Sequence, residues 1–171
     1  MKNVILIGMP GTGKSTVGVV LAKYMGYDFL DTDILLSRRQ KSTLPKLIES
    51  EGLERFLELE GEAGLSVGCG DTVVATGGSM VFSAPAMEHL RRSGVVVWLE
   101  TPLDVLEERL SHAAREDRGV AAPADMSVRQ IYALRAPLYA KYADVRIRCG
   151  EGVDGVVADI RTALRGMDMR E

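Results

Sequence analysis

The stretch NVILIGMPGTGKSTVGVVLAKYM, residues 3–25, decides the architecture. Its opening, Asn3 to Gly8, is apolar at nearly every position and rich in branched side chains, the composition of a strand buried on both faces. GMPGTGKST follows, and Gly8, Gly13, Lys14 and Ser15 satisfy the spacing G-x-x-x-x-G-K-[ST]. From residue 14 to 25 the apolar positions recur at three- and four-residue spacing, so a helix opens directly out of the loop. A strand, a glycine-rich loop and a helix N-terminus in this order make an anion cradle. Successive backbone N–H groups wrap phosphate oxygens, and the helix dipole turns its positive end toward them. Gly11, Thr12, Gly13, Lys14, Ser15 and Thr16 are therefore the expected nucleotide contacts. Lys14 is the cation for the β- and γ-phosphates, and Ser15 is a ligand for Mg²⁺.

Working outward, strand-like runs recur at 27–31, 71–76, 94–100 and 144–149. Helical patterns lie between them: two or three segments within 32–68, then 84–93, 102–113, 127–142 and 154–165. Strands alternating with helices predict a five-stranded parallel sheet covered on both faces. The segment 111–127 breaks the pattern with small and charged residues, Gly119 and Pro123, and reads as a mobile loop.

A chain of 171 residues suits one domain with a full core. With 21 Lys+Arg against 24 Asp+Glu, the net charge of −3 offers no basic field for a nucleic-acid backbone, so bound anions must be held locally. Cys69 and Cys149 are far apart and lack metal-ligand spacing, which reads as buried free thiols. The N-terminal apolar run is too short for an export signal and no segment reaches membrane-spanning length, so a cytoplasmic protein with no membrane partner is expected.

Two further features fall at strand ends. The second strand closes in Asp31-Thr32-Asp33, on the carboxyl edge where open α/β sheets bind ligands. Both acids would lie near a γ-phosphate and its cation, with capping of the next helix as the structural alternative. The third strand, VVAT, runs into Gly77-Gly78-Ser79. The paired glycines would let backbone N–H groups approach an acceptor molecule, or would answer a turn's need for positive φ.

Taken together, GMPGTGKSTVGVVLAKYMGYDFLDTD, VVATGGSMV, GVVVWLETPLDVLEERL and LRAPLYAKYADVRI resemble the shikimate kinase family of P-loop kinases over about residues 1–150. The last three stretches discriminate more sharply than the phosphate loop does. The resemblance implies a three-layer αβα P-loop kinase fold, acceptor-binding helices within 32–68, and a lid loop over ATP near 112–124. It implies phosphoryl transfer from MgATP to a hydroxyl of a small acceptor, with shikimate as the leading case. It also implies roles. Asp31 would help hold Mg²⁺, and Asp33 would bind the acceptor and receive its proton. Gly77, Gly78 and Ser79 would line the acceptor with backbone, with Glu60 beside them. Arg135 would pair with the acceptor carboxylate, Arg109 would lie against adenine, and Arg118 would reach the transferring phosphate. A monomer is expected.

Three stretches depart from the family pattern. The usual G-E-x-x-F-R-x-x-E appears as GLERFLELE, so its first glutamate is Leu53 and its carboxylate-clamping arginine is Leu57, while Glu60 is retained. Arg55, two residues earlier, is turned about 200° away on a helix. The third glycine of the triplet is Ser79, and the lid's R-P-L is Arg118-Gly119-Val120. Loss of one charged contact costs about ten- to a hundredfold in affinity, which opens the way to a different hydroxylated acceptor. Two other readings remain: a nucleoside monophosphate kinase, for which 32–68 supplies few arginines, and a nucleotide-binding regulator without catalysis.

Overall fold

The structure, a computed structural model, describes residues 1–68, 70–110, 119–150 and 152–169. The strands are β1 (Asn3–Ile7), β2 (Asp28–Asp31), β3 (Thr72–Ala75), β4 (Gly94–Glu100) and β5 (Val145–Arg148). The helices are α1 (Lys14–Met25), α2 (Thr32–Gln40), α3 (Leu44–Leu65), α4 (Ala84–Ser93), α5 (Leu103–Arg109), α6 (Val128–Tyr142) and α7 (Val153–Arg165), with a 3₁₀ turn at Met80–Phe82. All the strand pairs are parallel, in the order β2-β3-β1-β4-β5. Chain connectivity reverses direction across the sheet at β1, whose neighbours are β3 and β4. That is the switch point where a crevice opens beyond the strand ends.

Side-chain alternation along β1 supplies both faces of the core, which is why the strand shows no polar period. Ile5 and Ile7 join Val74, Val96, Trp98, Met87 and Leu90 on one side. Val4 and Leu6 join Val17, Leu21, Val73, Val97 and Ile160 on the other. Each such side chain contributes about 1.5–3 kcal/mol on full burial, so substitutions in β1 would loosen both layers at once. The smaller cluster of Leu36, Leu47, Phe56, Leu59 and Ala63 welds α2 to α3 beside the sheet edge.

The acceptor-side region expected as two or three helical pieces is α2 plus a long α3 interrupted at Gly52, whose φ of 80° and ψ of 165° are non-helical. Ser127 opens α6 with a reciprocal capping box to Gln130, the arrangement that sets the helix start and its facing. Cys149 is a partly buried free thiol. Cys69, and residues 112–118 of the expected lid, lie outside the described residues. Among the described residues no helix is long and apolar enough to cross a membrane.

Candidate active site

The loop after β1 passes directly into α1, which begins with Gly13 at φ 92° as its N-cap and no side-chain cap. The first N–H groups of α1 are thus left for an external acceptor, as an anion site requires. Lys14 folds back, its Nζ donating to the carbonyls of Gly8 (2.8 Å) and Met9 (2.9 Å). Burial lowers its pKa to about 8, against the pull of Asp33 and Asp31. Ser15 Oγ donates to Asp31 Oδ2 at 2.5 Å. Asp31 also caps α2, its Oδ1 accepting from the N–H groups of Asp33 and Ile34. The capping role open to Asp31 therefore holds: the cap fixes the carboxylate, and its second oxygen meets Ser15.

A cavity of about 260 Å³ joins this loop to the acceptor side. Asp33, Glu60, Gly78, Ser79 and Arg135 line it, and Gly119, Val120 and Ala121 close it. Burial, together with the nearby Asp31 carboxylate, raises Asp33 to about 6. Glu60 on α3 is 2% exposed and rises to about 7, chiefly through burial and then through Asp33. Ser79 Oγ donates to Glu60 Oε2. Arg135 on α6 is likewise 2% exposed. Its Nη2 donates to the Ala121 carbonyl at 2.7 Å, while Nη1 is buried without a partner.

The two glycines after β3 turn out to serve a third purpose. Neither has positive φ, so the turn explanation is set aside. A Cβ at Gly77 would collide with the Glu60 and Asp33 carboxyls, and one at Gly78 would meet Pro10 Cδ at 2.6 Å and Arg135 Nη1 at 3.1 Å. What approaches this backbone is the protein's own charged wall. The Gly77 N–H donates to Thr32 Oγ1 at 3.0 Å, and the Gly78 carbonyl accepts from Tyr139 Oη at 2.6 Å.

Leu57 lines not this cavity but an adjoining apolar groove with Leu53, Phe82, Met126 and Leu134, and the two share Ala121 and Arg135. Arg55 is exposed and paired with Glu58 and Glu62, so it does not stand in for an arginine at 57. Arg109, at the end of α5, donates to the Gly11 carbonyl at 3.1 Å and so sits against the phosphate loop. Gly11, Gly13, Ser15 and Thr16 line the cavity's phosphate end, whereas the Thr12 hydroxyl is buried and unpartnered. Arg118 lies outside the described residues.

Sequence reasoning overlooked Thr32, Phe56, Ala121 and Tyr139. Tyr139 carried a usable signal, since it lies four residues after Arg135 and thus on the same helical face. Ala121 and Phe56 carried none, because their role depends on segments meeting across the cavity.

A phosphate loop joined to a carboxylate-lined cavity at the switch point of a parallel sheet defines a P-loop small-molecule kinase, an enzyme of the phosphotransferase class. A family model described as Shikimate kinase matches residues 10–165. The chain belongs to the shikimate kinase family. The shikimate kinase of Nitratidesulfovibrio vulgaris is 38% identical over 166 residues, covering 94% of each chain. The solved shikimate kinase of Acinetobacter baumannii in complex with shikimate superposes with a TM-score of 0.85 at 27% identity, covering 99% of this chain and 96% of that one. Threonine synthase-like 1 of Pongo abelii is 34% identical over 152 residues, which are 88% of this chain but 20% of that protein.

Proposed function

We propose that this chain, as one domain, transfers the γ-phosphate of MgATP to a hydroxyl of shikimate. The observation that carries the reading is Arg135 Nη1, a guanidinium nitrogen buried without a partner at the wall of the cavity. A buried unpaired donor of a charged group is costly unless a ligand completes it. A carboxylate on the acceptor does so, and the planar guanidinium suits it.

Ser15 and Asp31 fit a hard cation, being two oxygen side chains already side by side at the phosphate end. Mg²⁺ with ATP would be held there, where it would neutralise charge on the phosphates. Lys14 gives up its contacts to the Gly8 and Met9 carbonyls and turns to the β- and γ-phosphates. Asp33 accepts the proton of the attacking hydroxyl, and its pKa of about 6 suits a base near neutral pH. Gly11 to Thr16 cradle phosphate, while Arg109 packs toward the nucleotide from beside Gly11. Glu60, Ser79 and the backbone at Gly77 and Gly78 shape the acceptor wall, and Arg118 completes the phosphate's surroundings from the lid.

The test is ADP release from MgATP with and without shikimate. Shikimate-dependent release supports the proposal. Its absence in a protein that binds ATP refutes it. A second reading, a kinase for another small hydroxylated carboxylate, is favoured by Leu57, which leaves Arg135 as the only described arginine lining the cavity. Leu57→Arg separates the two: a gain in shikimate turnover supports a drifted acceptor, and unchanged turnover counts against it.

A further inference from the structure

Glu60 presents an unusual problem of support. Its carboxyl is buried, yet α3 gives it no cation: Leu57, one turn earlier on the helix, is apolar, and Arg55 points outward to Glu58 and Glu62. Among the described residues its one hydrogen bond comes from Ser79 Oγ. Ser79 is itself 4% exposed, so its hydroxyl is committed inside the wall. The same cavity holds Arg135, whose Nη1 has no hydrogen-bond partner among the described residues; after the larger effect of the Asp33 carboxylate, the Arg135 charge and then that of Lys14 are felt at Glu60.

From this geometry we infer that Ser79 is a positioning residue: by holding the Glu60 carboxyl against Gly77, it keeps Glu60 from pairing with Arg135 and so leaves Nη1 free for the acceptor. Two buried groups of opposite charge facing one cavity pair with each other unless something restrains them, because an uncompensated buried charge is the costlier state. The restraint is visible at both ends. Ser79 Oγ holds one carboxyl oxygen, and the close approach at Gly77 leaves room for the other. On the Arg135 side, the Ala121 carbonyl holds Nη2 and the Phe82 ring lies 5.5 Å from the guanidinium carbon. Each charge is thus tethered away from the other. Ser79 thereby sets acceptor affinity through Glu60 and Arg135, without needing its hydroxyl to touch the acceptor.

The inference uses the proposed acceptor only in its kinetic arm. In that arm, Ser79→Ala is expected to raise the KM for shikimate about tenfold or more by withdrawing Arg135, with the KM for MgATP unmoved. The second arm needs no acceptor. In protein carrying ¹³C-labelled glutamate, the Glu60 carboxyl resonance is assigned by its loss in Glu60→Gln and titrated in wild type and in Ser79→Ala. Capture by Arg135 lowers the Glu60 midpoint by about one unit or more. Simple loss of the Ser79 hydrogen bond raises it, since that bond favours the charged form. A midpoint that rises or stays put therefore overturns the inference, as does a shikimate KM that does not change. Ser79→Cys, which keeps the shape and a weak donor, is expected to fall between wild type and Ser79→Ala in both arms. Should wild type fail to turn over shikimate, the proposed acceptor falls and the titration alone decides the role of Ser79.

Discussion

The two ends of the cavity are built on opposite principles. At the phosphate end, one contiguous stretch from β1 to α1 supplies the loop, the helix N-terminus and Lys14, and the proposed recognition falls mostly to backbone N–H groups. At the acceptor end, α2, α3, the turn after β3, the segment 119–121 and α6 each contribute one to three residues, and the contacts run between elements far apart in sequence. A backbone site needs its spacing kept and little else. A side-chain site can be retuned one residue at a time, as Ser79 in the cavity wall illustrates.

That contrast can be broken first at Lys14. Lys14→Ala removes the cation proposed for the β- and γ-phosphates and is expected to lower kcat on the order of a thousandfold, for every acceptor alike, in an ADP-release assay. At the other end, Arg135→Lys keeps the charge but loses the fork. It is expected to raise the acceptor KM about ten- to a hundredfold while the KM for MgATP holds. A comparable rise in both constants would mean the two ends are not separable.

The third test concerns stability. Burial raises Glu60 from its ordinary value of 4.5 to about 7, so the fold favours its neutral form. Its contribution is fully present below about 4.5 and is lost as pH rises through about 7. Glu60→Gln removes that loss. Denaturant unfolding is expected to show the variant gaining on the order of 2 kcal/mol relative to wild type between pH 5 and pH 8, and a constant difference would contradict the assignment. The smallest effect belongs to Tyr139→Phe, which strips the Gly78 carbonyl of its donor. A loss of about 1 kcal/mol in unfolding free energy is expected, with a modest rise in acceptor KM.

Legibility in the sequence follows the same division. The strand and helix succession was readable because each element carries its own period, and the strand bounds agree to within a residue or so: 3–8 against Asn3–Ile7, 144–149 against Val145–Arg148. The phosphate end was readable because its chemistry is contiguous. The acceptor end was readable only as far as individual motifs went. Asp33, Glu60 and Arg135 do converge on one cavity, but the positive-φ turn offered for Gly77 and Gly78 is not what the chain adopts, and nothing local announces that two carboxyls and a proline will press against them. Nor could the sequence reveal that Leu57 lines a groove with Leu53 instead of the cavity. The facing of α3 beyond its break at Gly52 is a tertiary matter.

The bond from Arg135 Nη2 to the Ala121 carbonyl has a thermodynamic corollary. A guanidinium is a rigid plane, so the nitrogen proposed to meet the acceptor and the nitrogen that tethers the chain after residue 118 cannot be moved independently. Occupancy at one end and the resting position of that chain at the other are linked functions. Whatever factor the acceptor contributes to holding Ala121 inward, an inward Ala121 must return to the acceptor's affinity, by reciprocity. Substitutions that pull the 119–121 segment away from α3 would thus weaken acceptor binding while leaving every acceptor contact chemically intact.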